Sequence, residues 1–428
     1  MAWDFSTDPE YQKQLDWARE FVREEVYPLE TLEVDWPTLM RLMEPLKQEV
    51  KERGLWAAFL PTELGGGGWG QLKMALLSEI LGEAIWAPMV FGSRAPDTGN
   101  AEVLAVAGNE ELKARYLQPS LEGEIRSCFS MTEPDAGSDP TRISTTAVRD
   151  GDTWVINGHK WFSSNASESE FLLVLCVTDP DAPPKRRFSL ILVPAGTPGV
   201  DIVRDIPALD DVNRHHQQPQ PDNHAEIIYR DVTVPYEYVL GEPGDGWDLA
   251  QRRLGPGRIH HAMRWLGQCN RAFNMLCERA VSREVFGERL ADKQIVQDWI
   301  AESAAQIEAA RMMTLHAAWK IDEYGLDAAR KEISLIKFWG ARVLHDVIDR
   351  AIQIHGSLGY SGDLPLEWMY RLARAARIYD GPDEVHKSVV SKLILKDYEP
   401  VEVPTDHVPT RKAAAEAKYA DVLAEVRS

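Results

Sequence analysis

Three stretches of this chain hold residues whose types and spacing can do chemistry. The first, Cys128-Phe-Ser-Met-Thr-Glu-Pro-Asp-Ala-Gly-Ser-Asp-Pro140, reads as a strand ending at Met131-Thr132 that gives way to a loop of small residues. Such a loop exposes backbone N–H groups beside two hydroxyls, which can hydrogen-bond a polar ring edge or a phosphate. Ser, Asp and Gly also make ordinary capped turns, so this run alone leaves both readings open. The second stretch gathers Arg258, His260, His261 and Arg264, four basic or ionisable groups within seven residues. On a helix some of these must point away from any common site. The third is Asp380-Gly-Pro-Asp-Glu384, where a carboxylate precedes Gly and Pro. Asp380 can serve there as a general base or as a helix N-cap.

Other arrangements carry less. The glycines between Leu64 and Trp69 have no following Lys-Ser/Thr and no clear strand before them, so they read as a flexible turn rather than a phosphate cradle. His215-His216 falls in the polar, Pro-containing loop from Asp210 to Asn223 and reads as exposed loop rather than a metal or substrate site. Cys128, Cys176, Cys269 and Cys277 include no CxxC pair, so neither a disulfide framework nor a zinc site is expected. A Ser-His-Asp triad has no supporting motif.

The elements that must position these residues come in three textures. From Asp8 to about Glu122, YQKQLDWAREFVREEVYPLE and WPTLMRLMEPLKQEVKERGL repeat large apolar residues at three- and four-residue spacing, which predicts helices. From about Gly123 to Leu240 the pattern turns to strands. TTAVRDGDTWVINGHKWFSS reads as consecutive strands with turns at Asp150-Gly151-Asp152 and Asn157-Gly158. EFLLVLCVTD and RFSLILVPAG read as apolar strands, and HAEIIYRDVTVP closes the segment. From Gly241 the helical period returns, and RKEISLIKFWGARVLHDVIDRAIQIHG stops at Gly356 as a C-terminal cap. The expected organisation is a helical domain over 1–122, a β domain over 123–240, a helical domain over 241–398 and a tail over 399–428 with a short amphipathic end.

At 428 residues the chain is about three times the ~150 residues of a single domain, so several lobes in one subunit are expected. A formal net charge of −20 argues against nucleic acid or an anionic membrane as a general partner. Apolar runs such as Phe171 to Val177 are strand length, far short of the ~20 residues of a bilayer span. The opening MAWDFSTDPEY has acids and no basic-then-apolar targeting region, so the expected setting is a reducing, cytoplasmic one.

The first stretch resembles the TEPxxGSD signature of acyl-CoA dehydrogenases. Ile156-Asn-Gly-His-Lys-Trp-Phe-Ser-Ser-Asn165 resembles their NGxKxWITN segment, and Tyr229-Arg-Asp-Val-Thr-Val-Pro235 their exit strand. Arg283-Glu-Val-Phe-Gly287, Gln353-Ile-His-Gly356 and Tyr379-Asp-Gly381 follow in the family's order, and the match reaches about Lys396. GRIHHAMRWLGQ and DGPDEVH are similar to the subgroup whose animal members carry a fused kinase-like domain; this chain is expected to be a stand-alone form. The resemblance implies an α+β fold with an N-terminal helical domain, a middle β-barrel-like domain and a C-terminal four-helix bundle. It also implies FAD, an acyl-CoA substrate, an electron-transferring flavoprotein as acceptor, and a dimer or tetramer.

Carried over residue by residue, the resemblance puts Phe129, Met131 and Thr132 along the flavin edge and Ser138 at the pyrophosphate or the CoA entrance. Ser164 matches the hydroxyl facing flavin N5. Phe162 stands where the family usually has a Trp; Trp161 is next door, but adjacent strand residues point to opposite faces. Arg283, Phe286 and Gln294 match positions that hold the FAD of a neighbouring subunit, with Gln353 and Gly356 on the partner side. Arg258, His261 and Gly381 are expected beside the substrate, and Pro382 and Glu384 beside the flavin. Asp380 takes the place of the catalytic base, usually Glu, and is shorter by roughly 1.5 Å of reach. Some members carry the base just before the position of Arg258, where this chain has Gly257. The reaction implied is α,β-dehydrogenation of the thioester. The subgroup adds an alternative, loss of phosphate from a 4-phosphoryloxyacyl-CoA held by the basic cluster at Arg258 to Arg264. A catalytically silent flavin or acyl-CoA binding protein is the remaining one.

Overall fold

The computed structural model describes residues 7–62, 66–209, 224–400 and 411–428. His215-His216 and part of the glycine run lie outside these. Residues up to Lys387 make one compact unit, and Ser388–Ser428 make a second.

The first helix, α1 (Pro9–Phe21), begins where the Asp8 carboxylate accepts the Tyr11 N–H, and it buries the stripe Tyr11, Leu15, Ala18 and Phe21. A π turn and a 3₁₀ turn carry the chain to Thr31. Asp35 caps α2 (Trp36–Glu52) in the same way. The helical lobe continues through α3 (Gly70–Leu81), α4 (Ala87–Val90), α5 (Asp97–Ala107), α6 (Glu110–Leu112) and α7 (Gln118–Glu122). Gly123, at φ 75°, stops the last of these.

Eight strands follow: β1 (Ser127–Ser130), β2 (Thr146–Asp150), β3 (Thr153–Ser164), β4 (Phe171–Val177), β5 (Phe188–Pro194), β6 (Val200–Ile206), β7 (His224–Pro235) and β8 (Val239–Leu240). Their order is β6-β7-β3-β2-β4-β5-β8, with β1 added in parallel to β4. β2 and β4 meet through a single pair, Thr146 with Val177, so the sheet folds at that point and β3 comes against β1. The two apolar strands, β4 and β5, are buried along nearly their whole length.

Asn157-Gly158 is not a turn. β3 runs straight through it, paired with β7, with a register shift there. Asn157 is occupied in bonds to the side chain and N–H of Asp231 across the ladder. A Cβ on Gly158 would lie 2.2 Å from Thr145 Oγ1, so the glycine serves close approach between strands rather than a reversal of the chain. The turn at Gly151, φ 58°, is where the hairpin reverses.

The C-terminal lobe is built on α8 (Gly246–Ser282), about 55 Å long at 1.5 Å per residue. A small hairpin, β9 (Glu284–Val285) and β10 (Glu288–Arg289), leads into α9 (Gln294–Tyr324), α10 (Arg330–His355) and α11 (Leu366–Ala375). Helices α8, α9 and α10 pack on one another, with α11 against α10 and α8. One apolar core joins the first lobe to the sheet, and a second fills this bundle around Trp265, Leu344 and Met369. After α12 (Asp383–Leu395) the tail contains two short helices, α13 (Lys412–Lys418) and α14 (Ala420–Arg427). Among the described residues no helix is long and apolar enough to cross a membrane.

Candidate active site

Asp380 sits on the loop between α11 and α12. It is not an N-cap, because α12 begins only at Asp383. Its backbone is held at φ 53°, a left-handed conformation that a non-glycine residue keeps only when its surroundings impose it. The surroundings do. The Asp380 carbonyl accepts hydrogen bonds from Arg258 Nε at 3.1 Å and Nη2 at 3.0 Å, and from His386 Nε2 at 3.1 Å. The next carbonyl, of Gly381, accepts from Lys337 Nζ at 3.2 Å, and the same ammonium binds the Ala376 carbonyl at 2.7 Å. Lys337 is wholly buried, over the rings of Trp265 and Tyr379, and burial above all lowers its pKa to about 8.

The carboxylate itself points back toward α8. Its Oδ2 lies 3.5 Å from His261 Nε2, and the side chain keeps 21% of its surface accessible, as a group lining a cleft does. Burial acts to raise the Asp380 pKa, but His261, Arg258, Arg253 and Lys337 outweigh it and hold the carboxyl below its ordinary value. The acid is therefore ionised at neutral pH. Burial and Arg264 push His261 down to about 3, so that ring is neutral.

The basic cluster on α8 is less open to a ligand than its composition suggests. Arg258 is committed to the Asp380 backbone. Arg264 donates to the Ser93 carbonyl at 3.2 Å and contacts His261 Nδ1 at 3.1 Å. His260 is buried with Nε2 unpartnered among the described residues.

Across the cleft stands the end of β1. Phe129 carries the Arg253 guanidinium 4.0 Å over its ring, and Arg253 Nε donates to Asn100 Oδ1 at 2.8 Å. The Met131 carbonyl accepts from Lys160 Nζ at 2.7 Å and the Thr132 carbonyl from the Trp161 N–H at 3.0 Å. With both carbonyls taken, this turn offers a ligand its N–H groups and the Thr132 hydroxyl. Lys160 is fully buried and 3.0 Å from Glu133. Burial opposes the Glu133 charge, but Lys160 and the Thr145 and Ser144 donors bring its pKa down to about 2. The two motifs are thus bound together by a buried ion pair. Ser164 Oγ meets His224 Nδ1 at 2.8 Å.

At Phe162 the alternation of strand faces fails. The ladder slips between Lys160 and Ser163, Phe162 adopts φ 50°, and its ring stands 5.3 Å from that of Trp161 with 44% of the residue exposed. Ser138 and Glu384 are exposed, and it is the buried Asp383 rather than Glu384 that pairs with an arginine, Arg377, at 2.8 Å. Gly381 and Pro382 follow Asp380 directly in the loop. Arg283, Phe286 and Gln294, near the β9–β10 hairpin, are exposed, as are Gln353 and Gly356 at the end of α10.

Comparison with known proteins reaches every part of this arrangement. The three models of the acyl-CoA dehydrogenase family match in order: the N-terminal domain over residues 8–124, the middle domain over 128–217 and the C-terminal domain over 244–395. The chain belongs to the acyl-CoA dehydrogenase family. Among its relatives, the probable acyl-CoA dehydrogenase FadE2 of Mycobacterium tuberculosis is 46% identical over 83% of this chain and 86% of its own. Acyl-CoA dehydrogenase family member 11 of Rattus norvegicus is 39% identical over 90% of this chain, which spans only 50% of that protein. A solved structure from Mycobacterium abscessus, 38% identical, covers 92% of this chain and all of its own with a TM-score of 0.86. Butyryl-CoA dehydrogenase from Megasphaera elsdenii, 26% identical, covers 92% of this chain and 100% of its own with a TM-score of 0.78.

Acyl-CoA dehydrogenases are flavin-dependent oxidoreductases, and the β domain suits such a cofactor. Asn165, next to Ser164, is buried with both amide atoms unpartnered among the described residues. Buried polar groups left so cost about 1–3 kcal/mol each, which a polar ring edge would recover. Several acyl-CoA dehydrogenase site residues escaped the sequence reading: Lys337, His386, Arg253 and Glu102. Lys337 had one usable signal, a lysine in the apolar stretch ISLIKFWG of an amphipathic helix. Arg253 and Glu102 had none, since only packing brings α5 and α8 together.

Proposed function

We propose that this chain is an FAD-dependent acyl-CoA dehydrogenase that makes a double bond between C2 and C3 of an acyl-CoA thioester, with Asp380 as the base. The observation that carries the reading is an ionised, cleft-lining carboxylate on a strained loop that is clamped by Arg258, His386 and Lys337. A base one methylene shorter than Glu has less freedom to find its proton, and a fixed backbone supplies the placement that side-chain length does not. Asp380 takes the C2 proton, and the neighbouring cations stabilise the anionic carboxylate beforehand rather than neutralise it. Bound FAD supplies the acceptor for the hydride leaving C3. Met131, Thr132 and Ser164 would meet the flavin edge, and Asn165 would find its missing partners there. Phe162, exposed at the bulge, suits electron exit to an electron-transferring flavoprotein. The exposed Arg283, Phe286, Gln294, Gln353 and Gly356 support a cofactor site shared between subunits of a dimer or tetramer. Four free cysteines fit a reducing cytoplasm.

Anaerobic titration of the flavoprotein with acyl-CoAs of increasing chain length tests this. Bleaching of the flavin by at least one thioester, lost in Asp380→Ala, is expected; no bleaching by any of them would leave a silent binding protein and sink the proposal.

A second reading, phosphate loss from a 4-phosphoryloxyacyl-CoA, is favoured by a different arginine from the cluster first suspected. Arg258 and Arg264 are occupied by protein acceptors, whereas Arg253 uses Nε on Asn100 and shares its field with Asp380 and Glu102. Glu102 is pushed up to about 8 by burial, with Arg253 opposing, so it stands protonated at neutral pH and can donate a hydrogen bond to an oxygen on the acyl chain. Phosphate release from such a thioester, abolished in Arg253→Met, would select this reading.

A further inference from the structure

His261 is unusual in having both ring nitrogens engaged by charged side chains. Nδ1 lies 3.1 Å from Nη2 of Arg264, and Nε2 lies 3.5 Å from Oδ2 of Asp380. A guanidinium has five N–H donors and no acceptor. Nδ1 therefore has to accept, and the single proton of the neutral ring has to reside on Nε2, aimed at Asp380. Arg264 cannot easily turn away, because its Nη1 is tied to the Ser93 carbonyl of the N-terminal lobe. The imidazole cannot easily turn over, because it lies against Tyr379 at 5.0 Å and Trp265 at 6.3 Å, and Trp265 Nε1 donates to the Tyr379 hydroxyl at 2.9 Å.

We propose that His261 is a positioning residue for Asp380: Arg264 locks it as the Nε2–H tautomer, that N–H orients the carboxylate through Oδ2, and Oδ1 is left to take the substrate proton. The backbone clamp fixes where Asp380 starts, but the terminal torsion of an Asp side chain is broad and roughly two-fold. Something must choose which oxygen faces the substrate, and a donor on one face of the carboxylate does so. The present 3.5 Å is about half an ångström beyond a good hydrogen bond, a gap of the kind that tightens when a cleft fills. In the step itself the C2–H bond breaks, an O–H bond forms on Oδ1, and the electron pair left behind expels the C3 hydride to the flavin. His261 keeps its own proton throughout. The other charged or titratable groups around the pair are Arg253, Arg258, His260 and Arg264 on α8, Lys337 on α10, Tyr379 on the loop, and Asp383 and His386 on α12.

The inference rests on the dehydrogenase reading for its catalytic part, and two measurements keep the two separable. The first is ¹⁵N NMR of histidine-labelled holoenzyme, with His261→Gln supplying the assignment. A neutral ring protonated at Nε2 from pH 5 to 8 is expected; protonation at Nδ1, or an imidazolium in that range, overturns the proposal whatever the enzyme's activity. The second is stopped-flow flavin reduction against pH, with unlabelled and C2-deuterated acyl-CoA. His261→Phe removes the donor, so the acid limb should move up by about one pH unit and the isotope effect should increase. Gln can accept from Arg264 and donate to Asp380, so His261→Gln should retain the wild-type limb. An unmoved limb and isotope effect in folded, FAD-replete His261→Phe, or a Gln variant no better than Phe, refutes the role. If no thioester reduces the wild-type flavin, the dehydrogenase reading fails while the tautomer result still stands or falls by itself.

Discussion

Two glycines close to the proposed base make a paired test of how the Asp380 loop is held. Gly381 has φ 99°, and a Cβ there would lie 2.8 Å from His386 Nε2. Alanine at that φ costs about 1–3 kcal/mol in backbone strain. The imidazole is the far end of a side chain, but His386 is only 3% exposed and has little room to retreat. Displacing it breaks its bond to the Asp380 carbonyl, a further ~0.5–1.5 kcal/mol. Gly381→Ala should therefore lose about 2–4 kcal/mol, a fall in Tm of roughly 4–12 °C. Gly257 lies within α8, has no atom within 4 Å of an added Cβ, and has no positive φ. Gly257→Ala should gain about 0.5–1 kcal/mol of helix propensity and melt slightly higher than wild type. Thermal unfolding of the two FAD-loaded variants reads the difference, and stopped-flow flavin reduction should slow about tenfold in Gly381→Ala alone. If Gly381→Ala melts within a degree of wild type, or if Gly257→Ala falls as far, the clamp described above is wrong.

Lys160→Met should cost about 3–5 kcal/mol and lower FAD content, because it leaves Glu133 as an unpaired buried charge and frees the Met131 carbonyl; adding Glu133→Gln should restore much of the stability, and a double variant as unstable as the single refutes the pairing. His260, His261 and His386 have pKa values depressed by burial to about 3, 3 and 4, below the ordinary value of 6.5, so the unfolded chain binds more protons than the folded one as pH falls. Their contribution is complete above pH 6.5 and is lost progressively toward pH 4 and 3, by at most about 1.4 kcal/mol per unit for each; urea midpoints that stay flat from pH 7 to 5 would contradict this. Asp380→Ala should slow flavin reduction by about 10²–10⁴-fold, and Gly257→Glu in that background, where the helix has open space, should return a measurable part of it; no recovery argues against a base acting from α8.

Much of the fold was legible because local pattern and long-range packing agree. The apolar stripe of α1 and the Asp8 before it define a helix without reference to anything distant, and Gly356 ends α10 by its own conformation. Asn157-Gly158 misled because the pair has the composition of a hairpin turn, and only the nearness of Thr145 explains the glycine. Phe162 misled in the same manner. Strand alternation is a rule about regular ladders, and a bulge whose cause lies in the partner strand β7 cancels it.

The site divides along the same line. Local chemistry was enough to single out Asp380, the small-residue loop after Met131 and the basic run on α8, since each is marked by residue types close together in the chain. What those groups do depends on neighbours more than a hundred residues away. Arg258 looked like a ligand for substrate and instead holds the Asp380 backbone, 122 residues on. His261 has its tautomer chosen by Arg264, and Arg264 is kept in place by Ser93, 171 residues back. Hydrogen-bond partners and desolvation are properties of the packed interior, so the protonation of a ring nitrogen and the ionisation of a carboxylate belong to the tertiary structure alone.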